Sequence, residues 1–201
     1  TYQVTFYDEF YSRREWINAK ASDMDTETTI AMLSELEQIV QKSDRSDYLS
    51  VVNDALLDAK FAVEYTQKCD DNMKGLSDKM KELAYEITED CKYDWEKAEA
   101  IERYFTEENF IYDLEYNSKD DSVDYFVFES KRGTCSDFAT AYVLLARAAG
   151  LSVRYVEGFV PDREIGRDYD VEYVVRTKCA HAYPEVYIQN YGFVVYEPTV
   201  A

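Results

Sequence analysis

The sequence predicts an α+β fold in which helices precede an antiparallel sheet. Apolar residues recur at spacings of three and four as far as Gly150. Beyond Gly150 they alternate with polar ones, in segments rich in Val, Tyr, Ile and Phe. Near the end, Asn190-Tyr191-Gly192 supplies a tight turn between two such segments, which makes those strands antiparallel neighbours.

The elements follow in order. Thr1-Tyr2-Gln3-Val4-Thr5-Phe6 alternates like a strand in mid-pattern, as a piece of a longer chain would, so a missing targeting signal carries no information. Residues 26–68 read as two helices. Ile30, Leu33 and Val40 share a face of the first, and Leu49, Val52, Leu56, Ala59 and Val63 a face of the second. Gln41–Ser46 forms the turn between them. These stripes carry no metal-ligand spacing and no nucleophile–base pair, so they read as core. Ser77 caps a third helix that buries Met80, Leu83, Ala84 and Ile87. Asp94 is the expected cap of a fourth, with Ala98, Ile101, Tyr104 and Phe105 on one side. Asn109–Ser130 reads as a loop with short extended pieces. Ser136–Ala149 is a strongly apolar helix ended by Gly150. Strands are expected at Val153–Val160, Val171–Arg176, Ala182–Gln189 and Phe193–Tyr196, as a meander.

Composition narrows the function classes. The 201 residues suit one ordinary domain or a compact domain with an appended unit, and an apolar share of 46% is enough for a real core. No internal repeat and no membrane-spanning run is visible. A net charge of −19 repels phosphate backbones, so nucleic acid is not an expected partner. The same charge serves solubility, or a preference for cationic substrates. Four cysteines are too few for a disulfide scaffold. Cys69 and Cys91, which flank one helical segment, are the candidate pair.

The chemistry centres on Cys135, between Gly133-Thr134 and the start of an apolar helix. Unpaired N–H groups and the positive end of the helix dipole favour a thiolate there and can hold an oxyanion. The only histidine, His181, opens one strand, and Glu197 closes the next. A hairpin around Asn190 brings those strand ends together, so the carboxylate can fix the imidazole tautomer and stabilise the imidazolium. Helix-start Cys, strand His and adjacent-strand acid make an activated nucleophile.

These residues also sit in recognisable motifs. Phe128-Glu129-Ser130-Lys131-Arg132-Gly133-Thr134-Cys135-Ser136-Asp137-Phe138-Ala139, continued by Leu144–Phe159, resembles the Cys motif of bacterial transglutaminase-like domains. His181-Ala182-Tyr183-Pro184-Glu185-Val186-Tyr187 is similar to the family's His motif, and Tyr196-Glu197-Pro198-Thr199 to its terminal acid motif. Trp95–Ala98 through Phe110–Tyr112 is similar to the helix before the core. The resemblance covers residues 75–201, leaving residues 1–74 as a strand-like start and helical extension.

The resemblance implies a papain-like fold, with the Cys helix packed on an antiparallel sheet. It implies amide-bond chemistry through a thioester on Cys135, with His181 as base and Glu197 as its partner, and no cofactor or metal. The expected substrate is a protein or peptide, with hydrolysis and acyl transfer both open. The expected setting is extracytoplasmic, in domains displayed by membrane-anchored bacterial proteins. An inactive scaffold that binds peptide or cell-wall polymer is the alternative reading.

Three positions depart from the family pattern. Glu197 stands for the usual Asp, Tyr183 for a frequent Trp, and Thr134 for a common aromatic. Some members place an upstream Trp in the oxyanion hole. Trp16 and Trp95 match no such position, and Tyr112 and Tyr116 are the candidate substitutes. Arg147 and Arg154 read as ion-pair residues, Cys179 as packing, and Lys119–Asp124 as a solvated loop without calcium-loop spacing.

Overall fold

A computed structural model describes residues 26–43, 48–73, 75–160, 163–167, 170–189 and 191–200. Thr1–Phe6, Trp16 and the turn residues 44–46 lie outside the described residues. Helices α1 (Thr26–Gln41) and α2 (Leu49–Asn72) form an N-terminal pair. Then come α3 (Asp78–Thr88), α4 (Asp94–Glu107) and the Cys helix α5 (Cys135–Ala148). The main sheet has the order β3–β6–β7, from Val153–Phe159, Ala180–Ile188 and Gly192–Val195, all antiparallel. Two short strands, β1 (Ile111–Tyr112) and β2 (Arg132–Gly133), pair in parallel, and β4 (Arg163–Arg167) with β5 (Asp170–Val174) forms a separate hairpin.

The core lies between α5 and the sheet, closed by α3 and α4. Phe138, Tyr142 and Leu145 of α5 meet Val153 and Val186 of the sheet and Met80, Ile101 and Phe105 of the two helices, all wholly buried. Packing of this kind, and not intrinsic propensity, holds such short helices in place. Phe105, Phe110, Phe126 and Phe138 close one end with ring centroids 5.0 to 5.9 Å apart. On the outer face of the sheet, α2 sets Ala59 and Ala62 against Tyr187, with Ile30, Leu33 and Phe193 around them. The Ser152 hydroxyl donates to the Ala62 carbonyl at 3.1 Å, tying α2 to the base of β3. The apolar stripes of the N-terminal helices are therefore core, as their spacing indicates.

Several local expectations change. Ser77 caps α3 as expected, accepting the Met80 N–H at 3.2 Å. Asp94, however, is the first residue of α4 and does not cap it. The Glu96 carboxylate accepts the N–H groups of Lys92 and Tyr93, at 2.7 and 2.9 Å, because an acid one turn in can reach back over the free donors. The segment read as a loop contains a helical turn, Val123–Tyr125, running into a π-helical turn, Phe126–Ser130. Ser122 caps it by accepting from Tyr125, and burial of Phe126 and Val127 holds it. The expected meander is interrupted, since β4–β5 pairs only with itself. Cys91 is a free thiol, so it forms no bridge to Cys69.

Ala59 is wholly buried where α2 meets Tyr187, with no room or partner for a charge. Ala59→Glu is expected to destabilise the protein by about 3 kcal/mol. The check is the urea midpoint, followed by both circular dichroism and fluorescence.

Candidate functional site

Thr134 is the N-cap of α5, and Cys135 is its first residue. The Asp137 carboxylate folds back to accept the Thr134 backbone N–H at 2.7 Å and its hydroxyl at 3.0 Å. That carboxylate fills the space above Gly133. A Cβ on Gly133 would lie 2.6 Å from Asp137 Oδ2, so only glycine lets the cap close. The tight Gly-Thr-Cys-Ser-Asp run is thus one device that holds the thiol at the helix mouth, half-buried. The β1–β2 ladder sets Tyr112 beside Gly133, with the Asp113 N–H donating to the Gly133 carbonyl at 2.9 Å. An ion pair between Arg132 and Asp113, at 2.6 Å, holds the ladder's end.

His181 Nε2 and Glu197 Oε2 are 2.5 Å apart. The β6–β7 register pairs Glu185 with Val195, and the Tyr196 N–H continues the ladder to the Pro184 carbonyl. That register puts Glu197 across from Tyr183, one pleat short of His181. A diagonal of this kind spans about 7–8 Å between backbones, within reach of a long side chain. Glutamate's extra methylene suits that reach. The Glu197 backbone N–H donates to the buried Glu102 carboxylate at 2.8 Å, and Glu197 Oε1 accepts the Thr199 N–H at 2.9 Å. Contact through Nε2 leaves Nδ1 as the imidazole nitrogen available to a thiol.

Two phenols lie within the electrostatic reach of the thiol. Burial raises the Tyr112 pKa, helped by the charges of Cys135 and Glu197. One hydroxyl thus feels both the candidate nucleophile and the candidate acid. Burial also raises Tyr155, whose oxygen lies beside the Ser136 hydroxyl and within the field of Cys135. The two candidate substitutes for an oxyanion-hole aromatic part company here. Tyr112 lies at the site, whereas Tyr116 stacks under Arg132, with the guanidinium 5.6 Å from its ring. Tyr116 lines a polar cleft of about 420 Å³ on the flank of α5, with Asp120, Asp121, Arg132 and Asp137. The ring of Tyr183 stacks on His181, with centroids 6.2 Å apart.

The chain is similar to known proteins. The family description "Transglutaminase-like superfamily" matches residues 81–198, more than half of the chain. The chain belongs to the transglutaminase-like superfamily. Protein YebA of Bacillus subtilis is 35% identical over 130 residues, which cover 62% of this chain and 18% of YebA. The periplasmic domain of TgpA from Pseudomonas aeruginosa matches with a TM-score of 0.51 at 26% identity, over 60% of this chain and 42% of that one. The same domain bound to ethylmercury gives 0.50 at 27%, over 60% and 43%. This chain therefore spans under half of the solved domain and about a fifth of YebA. Among the described residues, no helix is long and apolar enough to cross a membrane.

Other candidates found structural places. Glu185 of the His motif is held by Arg154 at 2.6 Å, and Arg154 lies 3.9 Å over the Phe193 ring. Arg147 donates to the Val153 carbonyl at 3.4 Å and forms no ion pair among the described residues. Cys179 is buried in a 3₁₀ turn, Thr177–Cys179, just before β6, where its sulfur accepts the Arg176 N–H at 3.3 Å. It is packing, as its residue type indicates. Sequence reading missed Glu102. Its signal was a carboxylate in the apolar stripe Ala98, Ile101, Phe105, where a buried charge needs a partner.

Gly133→Ala is expected to lose about 1–2 kcal/mol by opening the cap, and Asp137→Ala about the same. Thermal melts of the two single variants and the double variant check this. The double variant should cost less than the sum, because both changes remove one interaction.

Proposed function

We propose that residues 75–201 form a cysteine-dependent amide-bond enzyme, with Cys135 as nucleophile, His181 as base and Glu197 as the acid that orients it. The observation that carries this reading is the 2.5 Å contact between His181 and Glu197, made in a chain whose Cys135 opens a capped helix. Sγ of Cys135 bonds to the amide carbon, and its proton passes to the imidazole. The tetrahedral oxyanion is stabilised by the free N–H groups at the mouth of α5 and by the Tyr112 phenol. Its raised pKa keeps that phenol protonated, and so a donor, throughout the neutral range. Collapse breaks the C–N bond, and His181 gives its proton to the leaving amine. Water, or a second amine, then attacks the thioester and frees the thiol. A carboxylate is too weak a base to deprotonate a thiol directly, so Glu197 serves as orienter and charge partner. The periplasmic setting of the TgpA domain supports an extracytoplasmic site of action on protein or peptide substrates.

Iodoacetamide is expected to label Cys135 faster than Cys91 or Cys179 at neutral pH. Burial and the Glu96 charge raise the Cys91 pKa, so its thiolate fraction is small near pH 7 and its labelling should climb only in alkaline solution. His181→Ala should slow Cys135 labelling sharply. Mass spectrometry of the labelled peptides decides this, and equal labelling of all three thiols would contradict the assignment.

Turnover of a peptide-amide library should vanish in Cys135→Ala. Glu197→Gln should cost far more than Glu197→Asp, since an amide stabilises the imidazolium poorly and can favour the wrong tautomer. Tyr112→Phe should lower kcat by about 10²-fold. Circular dichroism controls for folding. A Glu197→Gln variant as active as wild type would sink the assignment of the acid, and an inert wild type with a slow Cys135 would favour a binding scaffold.

A further inference from the structure

Along β3, Val153, Tyr155 and Glu157 point to one face of the sheet. It is the face that α5 covers, because Val153 is wholly buried in the core beneath it. One pleat on, Tyr155 reaches the first turn of α5, where its oxygen lies beside the Ser136 hydroxyl. One pleat further, Glu157 is exposed, beyond the end of the helix that Cys135 opens. The register pairs Glu157 with Ala182, the residue after His181, and Gly158 with His181 itself. Glu157 therefore stands at the rim beside the first turn of α5, while His181, paired with Gly158, projects from the other face of the strand pair. The Tyr155 hydroxyl donates to Glu157 Oε1 at 3.2 Å, which fixes the carboxylate toward that rim. Among the described residues, no Lys, Arg or His forms an ion pair with it. By contrast, Glu185, three pairs along, is already neutralised by Arg154.

We propose that Glu157 is a specificity-determining residue of this site, and that the substrate carries a cationic side chain, an ammonium or guanidinium, beside the amide attacked by Cys135. The proposal rests on the cysteine-enzyme reading above. Its physics is that an oriented carboxylate without a counterion among the described residues gains more from a cation fixed beside it than from mobile salt. Tyr155 is the positioning residue that holds it. The strongly negative net charge steers cations in general. Glu157 supplies a cation contact beside the scissile bond.

Two measurements test this. The first uses thiol reagents of opposite charge on the intact protein, (2-trimethylammonioethyl) methanethiosulfonate and (2-sulfonatoethyl) methanethiosulfonate. Wild-type Cys135 should react faster with the cation. Glu157→Gln should lower the cation-to-anion rate ratio at Cys135 by about fivefold, while the ratio at Cys91 stays put. Glu86→Gln, an exposed acid on α3, controls for net charge. This readout needs no turnover, so it stands even if the enzymatic reading fails. The second compares kcat/KM for peptide pairs with Lys or norleucine beside the scissile amide. Glu157→Gln should reduce the Lys preference about tenfold, Glu157→Asp should keep part of it, and Glu157→Lys should shift it toward a Glu-containing peptide. A reagent ratio at Cys135 that Glu157→Gln moves no more than Glu86→Gln does, or an unaltered Lys preference, would overturn the proposal.

Discussion

Tyr142 lies wholly buried on α5, donates its hydroxyl to the Ala98 carbonyl of α4 at 2.9 Å, and stacks on Tyr196 with ring centroids 5.9 Å apart. Three pieces of the site hang on that side chain. It belongs to the helix that Cys135 opens, it is bonded to the helix that carries Glu102, and it packs on the residue before Glu197. Glu102 in turn accepts the Glu197 backbone N–H. The thiol and the acid, far apart in sequence, are thereby referred to one buried contact. A buried hydroxyl without its acceptor costs about 1–3 kcal/mol, so the phenol also penalises any slip of α5 against α4.

The second constraint is the closure of the cap over Gly133. A helix N-terminus leaves four backbone donors free, and they serve chemistry only if the chain before them is fixed. Here Asp137 takes the Thr134 N–H, and the β1–β2 ladder pins Gly133 from the other side. The donors nearest the thiol remain available. The same ladder sets Tyr112 beside Gly133, so the mouth of the Cys helix and the phenol are placed by one short stretch of backbone.

The N-terminal helices pack against the sheet. They cover the outer face around Tyr187 and Phe193, while Arg154 and Glu185 fill the space beside that packing with a short ion pair. A three-stranded sheet with one face bare would expose those rings to water. With both faces covered, the β6–β7 register is firmly set, and on that register the meeting of Glu197 with His181 depends.

Much of this was legible in the sequence. The 3.6-residue spacing located every long helix among the described residues, and the change to alternation after Gly150 located the main strands. A cysteine at a helix start, one histidine and an acid one strand on were readable as a set, because each motif is local. What the sequence left open is non-local. The turn at Phe126–Ser130 fell within a segment that reads as a loop because its apolar run is too short to show a period, and burial of Phe126 and Val127 made it helical. The β4–β5 hairpin pairs only with itself, which no alternation pattern can foretell. Tyr112 and Tyr116 were equivalent as text, and only the pairing of β1 with β2 separated them. Glu102 and Glu157 carried no motif at all. Their significance comes from packing and register, which set side chains from distant parts of the chain within a few ångströms of one another, and local pattern holds no record of that.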